Sequence, residues 1–514
     1  MALLGLLALA AFLGVVAKCV YNAFLHPLSR YPGPKLAGVT RAYYLFFDVR
    51  GVSHWKVKEW HEKYGEVIRI APGELSYTSG QAWQTIYGFP NKEGTGNFEK
   101  DAQWWNKNVN GVENILTADD AGHKRMRRLQ NPAFSDKALK AQESVITGYV
   151  KLLIHKLHGQ ASSGSAESAA VVDMNSWYNF TTFDIIGDLA FGEPFYCLRD
   201  AKWHWWLHAV FDIFQAGTYL RAARRFPSPL SEMLLLLIPR RLIKTRVAQF
   251  QFGVERVNRR LEQETDRPDF SRLTSANFNQ GRLLTGSIVY YILQGSDDKG
   301  MSTEEIYAAA QVLIVAGSET TATGLTAATY LLCENPQTLA KLTSEIRNTF
   351  ENEDDITIQS TAGLSYLNAA IEEALRLGPP GPGTFPRVVP DGGRMVCGQF
   401  VPAGYSVGVH HLAINRSPIH FSKHDEFHPE RWLGDQKFES DQKLAAQPFS
   451  FGPRNCIGKN LAYAEIRTII ARVVWNFDMK LHADSAGWLG RQKMFTTWHK
   501  TEMKVYLSAR AKSP

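Results

Sequence analysis

The sequence predicts a mainly α-helical protein with a minor β-sheet lobe, carried on an N-terminal transmembrane helix. Three observations lead there. The chain opens on an apolar run from Ala2 to Ala17 that resumes after Lys18 through Leu25, long enough to cross a bilayer as a helix. Between 120 and 380 the apolar residues recur mostly at helical spacing. Strand-like runs are short and lie to either side, at 66–78 and 396–410. With 514 residues, 45% of them apolar, the chain can bury a large core, and it contains no internal repeat.

The elements follow in order. Residues 1–25 form the anchor: no Lys or Arg precedes the apolar run, whereas Lys18, Arg30, Lys35 and Arg41 follow it, so the body stays on the cytoplasmic side. A cleaved secretory signal is the alternative reading, but it lacks a basic leading segment. Residues 26–40, which open on "HPLSRYPGPKLAG" with Pro27, Pro32 and Pro34, make a stiff hinge because proline forbids continuing helix. Residues 41–514 form one domain. "EVIRIAPGELSYT" predicts a strand pair turning at Pro72-Gly73, and "VCGQFVPAGYSVGVH" a second pair turning at Pro402-Ala-Gly404. Pro227, Pro229 and Pro239 bracket "LSEMLLLLI", which fits a segment dipping into a membrane surface as well as it fits a core helix.

Composition excludes several functions. The five cysteines are an odd number, widely scattered and without a CxxC pair, which argues against a disulfide framework or a zinc site and for reducing cytosol. The net charge of +7 is spread thinly, with no Lys/Arg tract interleaved with aromatics, so nucleic acid is not the partner. An acidic protein or an anionic membrane surface suits the balance better.

The chemistry concentrates in "FSFGPRNCIG", residues 449–458. Beyond it, Ala462, Ile466, Ile469 and Val473 are spaced four, three and four, which marks a buried helix and puts Cys456 just before its N-terminus. Free N–H groups and the helix dipole there favour thiolate over thiol, and a thiolate binds metal. Gly452 and Gly458 let backbone pass close to a flat ligand, and the fork of Arg454 suits a carboxylate. Iron in a porphyrin with propionate arms satisfies all of these features. A lone cysteine by itself is more often a small buried hydrophobe.

The pattern Phe449-x-x-Gly452-x-Arg454-x-Cys456-x-Gly458 resembles the haem-binding signature of the cytochrome P450 family. Three further stretches resemble the family in its order. "EEALR" supplies Glu373 and Arg376, and "HPERW" supplies Arg431, together similar to the family's buried Glu-Arg-Arg triad. "AGSETT", with Ala316, Gly317, Glu319 and Thr320, resembles its oxygen-binding stretch on a long central helix, which Ser302 and Glu305 open as a capping box. The hinge, "FTTFDIIGDLAFGEPF" and "HKRMRRLQNPAF" look most like the membrane-bound fungal branch that tailors secondary metabolites.

The resemblance implies heme b with Cys456 as axial thiolate, and propionates met by Arg127, Arg387 and Arg454, with His123 where the family often has Trp. A solvated basic helix is the plainer reading of 123–128. By spacing alone Glu372 would pair with Arg376 as well as Glu373 does; only the family pattern selects Glu373. Thr320 with Glu319 would relay protons, although by residue type the same face fits tight helix packing. Ile115, Leu116, Val312, Leu313 and Phe385 would make the substrate pocket apolar. The implied activity is monooxygenation of a hydrophobic small molecule, with NADPH-cytochrome P450 reductase, and cytochrome b5 as a second donor, supplying electrons at the endoplasmic reticulum membrane. A haem-thiolate isomerase or dehydratase and a haem sensor are the alternatives; such enzymes tend to lose the acid-alcohol pair that Glu319 and Thr320 preserve.

Overall fold

The computed structural model describes residues 2–89, 98–105, 109–161, 169–262 and 300–510. The expected anchor segment is a helix, Ala2–Val20, continued by a π-helical turn, Tyr21–Leu25. Its stretch Gly5–Leu25 is long and apolar enough to cross a membrane and is almost free of contacts with the rest of the chain. The end of that helix is docked. Asn22 is buried and donates from Nδ2 to the Val39 carbonyl at 2.9 Å. Arg69 donates from Nη1 to the Asn22 carbonyl at 2.9 Å and from Nε and Nη2 to Pro72. Leu28, Tyr31 and Ala37 are buried, so the proline-rich 26–40 segment lies against the domain rather than bridging solvent.

The larger sheet has five strands, in the order 67–71, 74–77, 406–409, 387–388 and 99–100. Its first two strands form the expected hairpin at Pro72-Gly73. The second expected hairpin is placed differently. Arg394–Val396 pairs with Gln399–Val401 around Cys397 and Gly398, both at positive φ, whereas Ser406–Val409 leaves to pair with Glu74–Tyr77 and Arg387–Val388. Pro402-Ala-Gly404 is therefore the link between two sheets. Burial decides this: all four residues of 406–409 are buried, and a strand covered on both faces belongs in the interior of a sheet.

The helical mass is built on the central helix, Thr303–Glu334. Its N-terminus is the capping box expected: Glu305 N–H donates to Ser302 Oγ and Ser302 N–H to Glu305 Oε2. Against it lies Met174–Phe191, buried along nearly its whole length. Gly317 permits the approach, because a Cβ there would stand 2.8 Å from the Ile186 side chain. Thr182 Oγ1 then donates to the Ser318 carbonyl at 3.0 Å, tying the two helices at the level of "AGSETT". Helices Ser365–Leu377 and Lys459–Asn476 complete the same core through Leu375, Ile466 and Ile469. Of the predicted helical span, 162–168 and 263–299 lie outside the described residues.

The segment bracketed by prolines is not a core helix. Leu230–Leu236 contains no buried residue, and Leu236 and Leu237 are 85% and 76% exposed. Of the two readings of "LSEMLLLLI", the structure selects the surface one. Asn179 and Asn415, which head Asn-x-Ser/Thr triplets, are both buried.

Candidate functional site

The cysteine loop is shaped by one glycine. Gly452 sits at φ +74°, and a Cβ on it would lie 1.9 Å from the Tyr87 carbonyl oxygen. Only glycine tolerates both. The close approach is thus to protein backbone, not to a ligand as the sequence suggested, and Gly452 does not line the cavity. Gly458 does line it, and a Cβ there would meet nothing closer than 3.8 Å. The Cys456 N–H donates to the Phe449 carbonyl at 2.9 Å, closing the loop, and the helix Lys459–Asn476 begins three residues later.

Cys456 opens into a cavity of about 490 Å³. Its lining includes Phe449, Arg454 and Gly458 from the loop, and Val312, Leu313, Ala316, Gly317 and Thr320 from the central helix. Leu116 and Phe385 also face it, as expected, and so does Pro380, whereas Ile115 is buried and does not line it. Trp104, Trp105, Phe214 and Thr496 join the lining without having carried any sequence signal. The Trp104 and Trp105 rings lie 5.9 and 6.0 Å from that of Phe385, so this wall is a packed aromatic cluster. Thr320 Oγ1 donates to the Ala316 carbonyl at 2.5 Å, which leaves its oxygen free to accept from the cavity.

Glu319 is placed differently from its neighbour. Successive residues on a helix diverge by about 100°, so Thr320 faces the cavity while Glu319 is buried behind it. Its carboxylate is paired with Lys500 at 2.8 Å. The expected side-by-side acid and alcohol are therefore separated in this arrangement.

Cations gather at one edge of the cavity. Arg387 and Arg454 line it, and so does Lys100, which the sequence did not single out because "FEKDAQWW" carries no pattern. Arg454 is bound to Asp120 at 2.7 Å, yet its Nη1 is buried without a protein partner among the described residues. Burial, then Arg387 and Arg454, push the Lys100 ammonium well below its ordinary range; burial and the Arg454 charge lower Arg387 to about 10. His123 is buried among them and lowered to about 3, by burial first and then Arg454, Lys100 and Arg127, so it is a neutral imidazole. Arg127 is the exception. It donates to the Asn455 carbonyl and, at 2.9 Å, to Asn455 Oδ1, holding the cysteine loop rather than lining the cavity. The basic 123–128 stretch is accordingly not a purely solvated helix face.

Beneath the site, Glu373 is fully buried and accepts from five donors: Arg376 Nε and Nη2, both at 2.8 Å, Arg431 Nε at 3.2 Å, Trp432 Nε1 at 2.9 Å and the His428 N–H at 3.1 Å. Arg376 continues to the carbonyls of Asn415, His424 and Glu426, and Arg431 to that of Ser422. Burial alone would raise the Glu373 carboxyl, but Arg376 and Arg431 hold it below the usual carboxylate range. Glu372 instead accepts from Tyr463 Oη at 2.5 Å, which settles the choice that spacing left open.

Residues 32–504 match the family model described as Cytochrome P450. The chain belongs to the cytochrome P450 family. It is 44% identical over 493 residues to "Cytochrome P450 monooxygenase aclL" of Aspergillus oryzae, covering 96% of each protein. It is 41% identical over 511 residues to "Trichothecene C-15 hydroxylase" of Fusarium sporotrichioides, covering 98% of each. A third relative, "Cytochrome P450 monooxygenase astA" of Talaromyces wortmannii, is 41% identical over 512 residues, covering 99% of this chain and 97% of that protein.

The residues present fit the family's haem. A P450 haem iron is held by a cysteine thiolate, and Cys456 opens into the cavity from the loop that the signature marks. Burial pushes this thiol up, against the pull of the Gly458 N–H, Arg127 and Lys459. The Gly458 N–H at the helix terminus acts in the direction the sequence predicted, and a cation on sulfur would favour the thiolate further. The orphaned Arg454 Nη1 and the mutually repelling Lys100 and Arg387 suit the two propionates of haem.

Proposed function

We propose that this P450 is a monooxygenase of secondary metabolism that inserts one oxygen atom from O2 into an apolar intermediate, by hydroxylation, epoxidation or further oxidation. The observation that carries the reading is a single cavity into which both Cys456 and the Ala316-Gly317-Thr320 face open, within otherwise apolar and aromatic walls. The relatives' names, monooxygenases and a hydroxylase, point the same way.

Haem, when bound to Cys456, supplies O2 activation, with the thiolate donating electron density that favours O–O cleavage. The chain's own residues do the rest. Lys100, Arg387 and Arg454 hold the propionate edge, and His123 contributes a neutral ring beside them. Phe449 packs against Tyr463, with ring centroids 4.9 Å apart, and gives the cavity an apolar wall beside the cysteine. Thr320 accepts a hydrogen bond at Oγ1 from a proton carrier in the cavity, its own hydroxyl hydrogen being held by the Ala316 carbonyl, while Val312, Leu313 and Phe385 orient an apolar substrate by shape.

Electrons come from NADPH-cytochrome P450 reductase, with cytochrome b5 as a second donor, docking near Lys459 and the 123–128 helix. In this reading the protein sits on the endoplasmic reticulum membrane, single-pass and with the domain cytoplasmic, and the apolar N-terminal helix supports a membrane anchor. The exposed Leu230–Leu237 surface gives a second lipid contact. The test is turnover of polyketide and terpenoid intermediates by microsomes containing the protein, with and without reductase and NADPH. Product only in the complete system supports the reading; product formed equally without NADPH would replace it with the isomerase or dehydratase alternative.

A further inference from the structure

The monooxygenase reading leaves unexplained a buried lysine, Lys500, which the sequence did not single out and the resemblance does not assign. Its side chain is fully buried, with Nζ 2.8 Å from Glu319 Oε1 and 2.8 Å from Thr323 Oγ1. Thr323 Oγ1 in turn donates to the Glu319 carbonyl at 2.8 Å and reaches Glu319 Oε1 at 3.3 Å. The three side chains form a closed network directly behind the Thr320 turn. A charge pair taken this far from water persists only when its geometry and hydrogen bonds offset desolvation, and removal of one partner strands the other.

Lys500 follows the hairpin formed by Lys493–Phe495 and Thr497–His499. Thr496 and Thr497 of that hairpin line the cavity, and Trp498 Nε1 donates to the Pro379 carbonyl at 2.7 Å, fixing it beside the 380–385 wall. One rigid hairpin thus touches the substrate space at one end and the acid of "AGSETT" at the other.

We infer that Lys500 is the positioning residue for Glu319: it keeps the carboxylate ionised and docked behind the central helix, so that proton supply to Thr320 depends on a pair held by the substrate-lining hairpin. This rests on the monooxygenase reading. Burial raises the Glu319 carboxyl and lowers the Lys500 ammonium, each opposed by the other's charge; Asp173 also acts on Lys500. In Lys500→Met, Glu319 therefore loses its cation and takes up a proton more readily, whereas Lys500→Arg keeps the charge.

The experiment uses the haem-loaded, reductase-coupled enzyme. Infrared difference spectra of Lys500→Met should show a protonated carboxylic acid band that is missing in the parent and in Lys500→Met/Glu319→Gln. The fraction of NADPH lost to peroxide should rise about tenfold in Lys500→Met and become dependent on pH, and Lys500→Arg should restore the parent profile. Lys500→Met should add nothing in the Glu319→Gln background. No new acid band, or an equal increment of peroxide in the Glu319→Gln background, would overturn the inference. The infrared arm needs no turnover, so its failure is distinguishable from failure of the monooxygenase reading. If Lys500→Met does not retain haem, Lys500→Gln carries the same comparisons.

Discussion

Lys100 and Arg387 stand opposite one another in the antiparallel pairing of Glu99–Lys100 with Arg387–Val388. Both line the cavity, and each is shifted away from its ordinary range, first by burial. Like charges directly opposite in a sheet are destabilising unless an anion lies between them. Haem carboxylates are suited to that place. Lys100→Met and Arg387→Gln are each expected to speed haem loss to apomyoglobin by about ten- to a hundredfold, the range of one charged hydrogen bond. Arg127→Gln should act instead by loosening Asn455, with a smaller effect on haem loss and a clearer one on the cysteine loop's spectral signature. Equal haem retention in all three variants and the parent would remove the propionate assignment.

Cys456→Ser should abolish the red-shifted carbon monoxide band typical of reduced haem-thiolate proteins. A persistent band would reject Cys456 as the ligand.

Glu373→Gln should destabilise the domain by about 3–5 kcal/mol, because Arg376 remains fully buried without its carboxylate, whereas Arg431 keeps its pairing with Asp441. Glu372→Gln should cost only about 1 kcal/mol, one hydrogen bond from Tyr463. The Glu373 carboxyl is depressed in the folded state, so its contribution is present above the unfolded carboxylate pKa and is lost as pH falls through the folded value. Thermal melts followed by the haem band should therefore show a flatter acid limb in Glu373→Gln. An unchanged limb would mean that another carboxylate governs acid unfolding.

Thr320→Val keeps volume and haem but removes the hydroxyl that lines the cavity. Oxygen should still be consumed, with product per NADPH falling about tenfold as peroxide rises. Unchanged coupling would mean that "AGSETT" here serves helix packing, as the close approach of Gly317 to Ile186 already does in part.

Deleting residues 1–20 should leave the haem spectrum intact and release only part of the protein from membranes, since Leu236 and Leu237 remain exposed. Adding Leu236→Ser and Leu237→Ser should release most of it. Extending the deletion through Leu25 removes Asn22 and strands the buried Arg69 Nη1, so the melting temperature should drop. Full release by the short deletion alone would exclude a second lipid contact.

The sequence by itself determined the α-rich class, the apolar N-terminal helix, the capping box of the central helix, the Pro72-Gly73 hairpin and the cysteine loop with its helix. These are local: period, turn residues and caps act within a few positions. It also contained the members of the Glu373 network, but only tertiary structure chose Glu373 over Glu372, because both satisfy helical spacing and burial beside Arg431 and Trp432 separates them. Distant pairing was likewise beyond local pattern. Lys100 reaches the cavity through a strand partner 287 positions away, Ser406–Val409 joins Glu74–Tyr77 rather than its sequence neighbour, and Lys500 finds Glu319 across the core. Such contacts depend on which surfaces the fold brings together, and no periodicity along one chain records that.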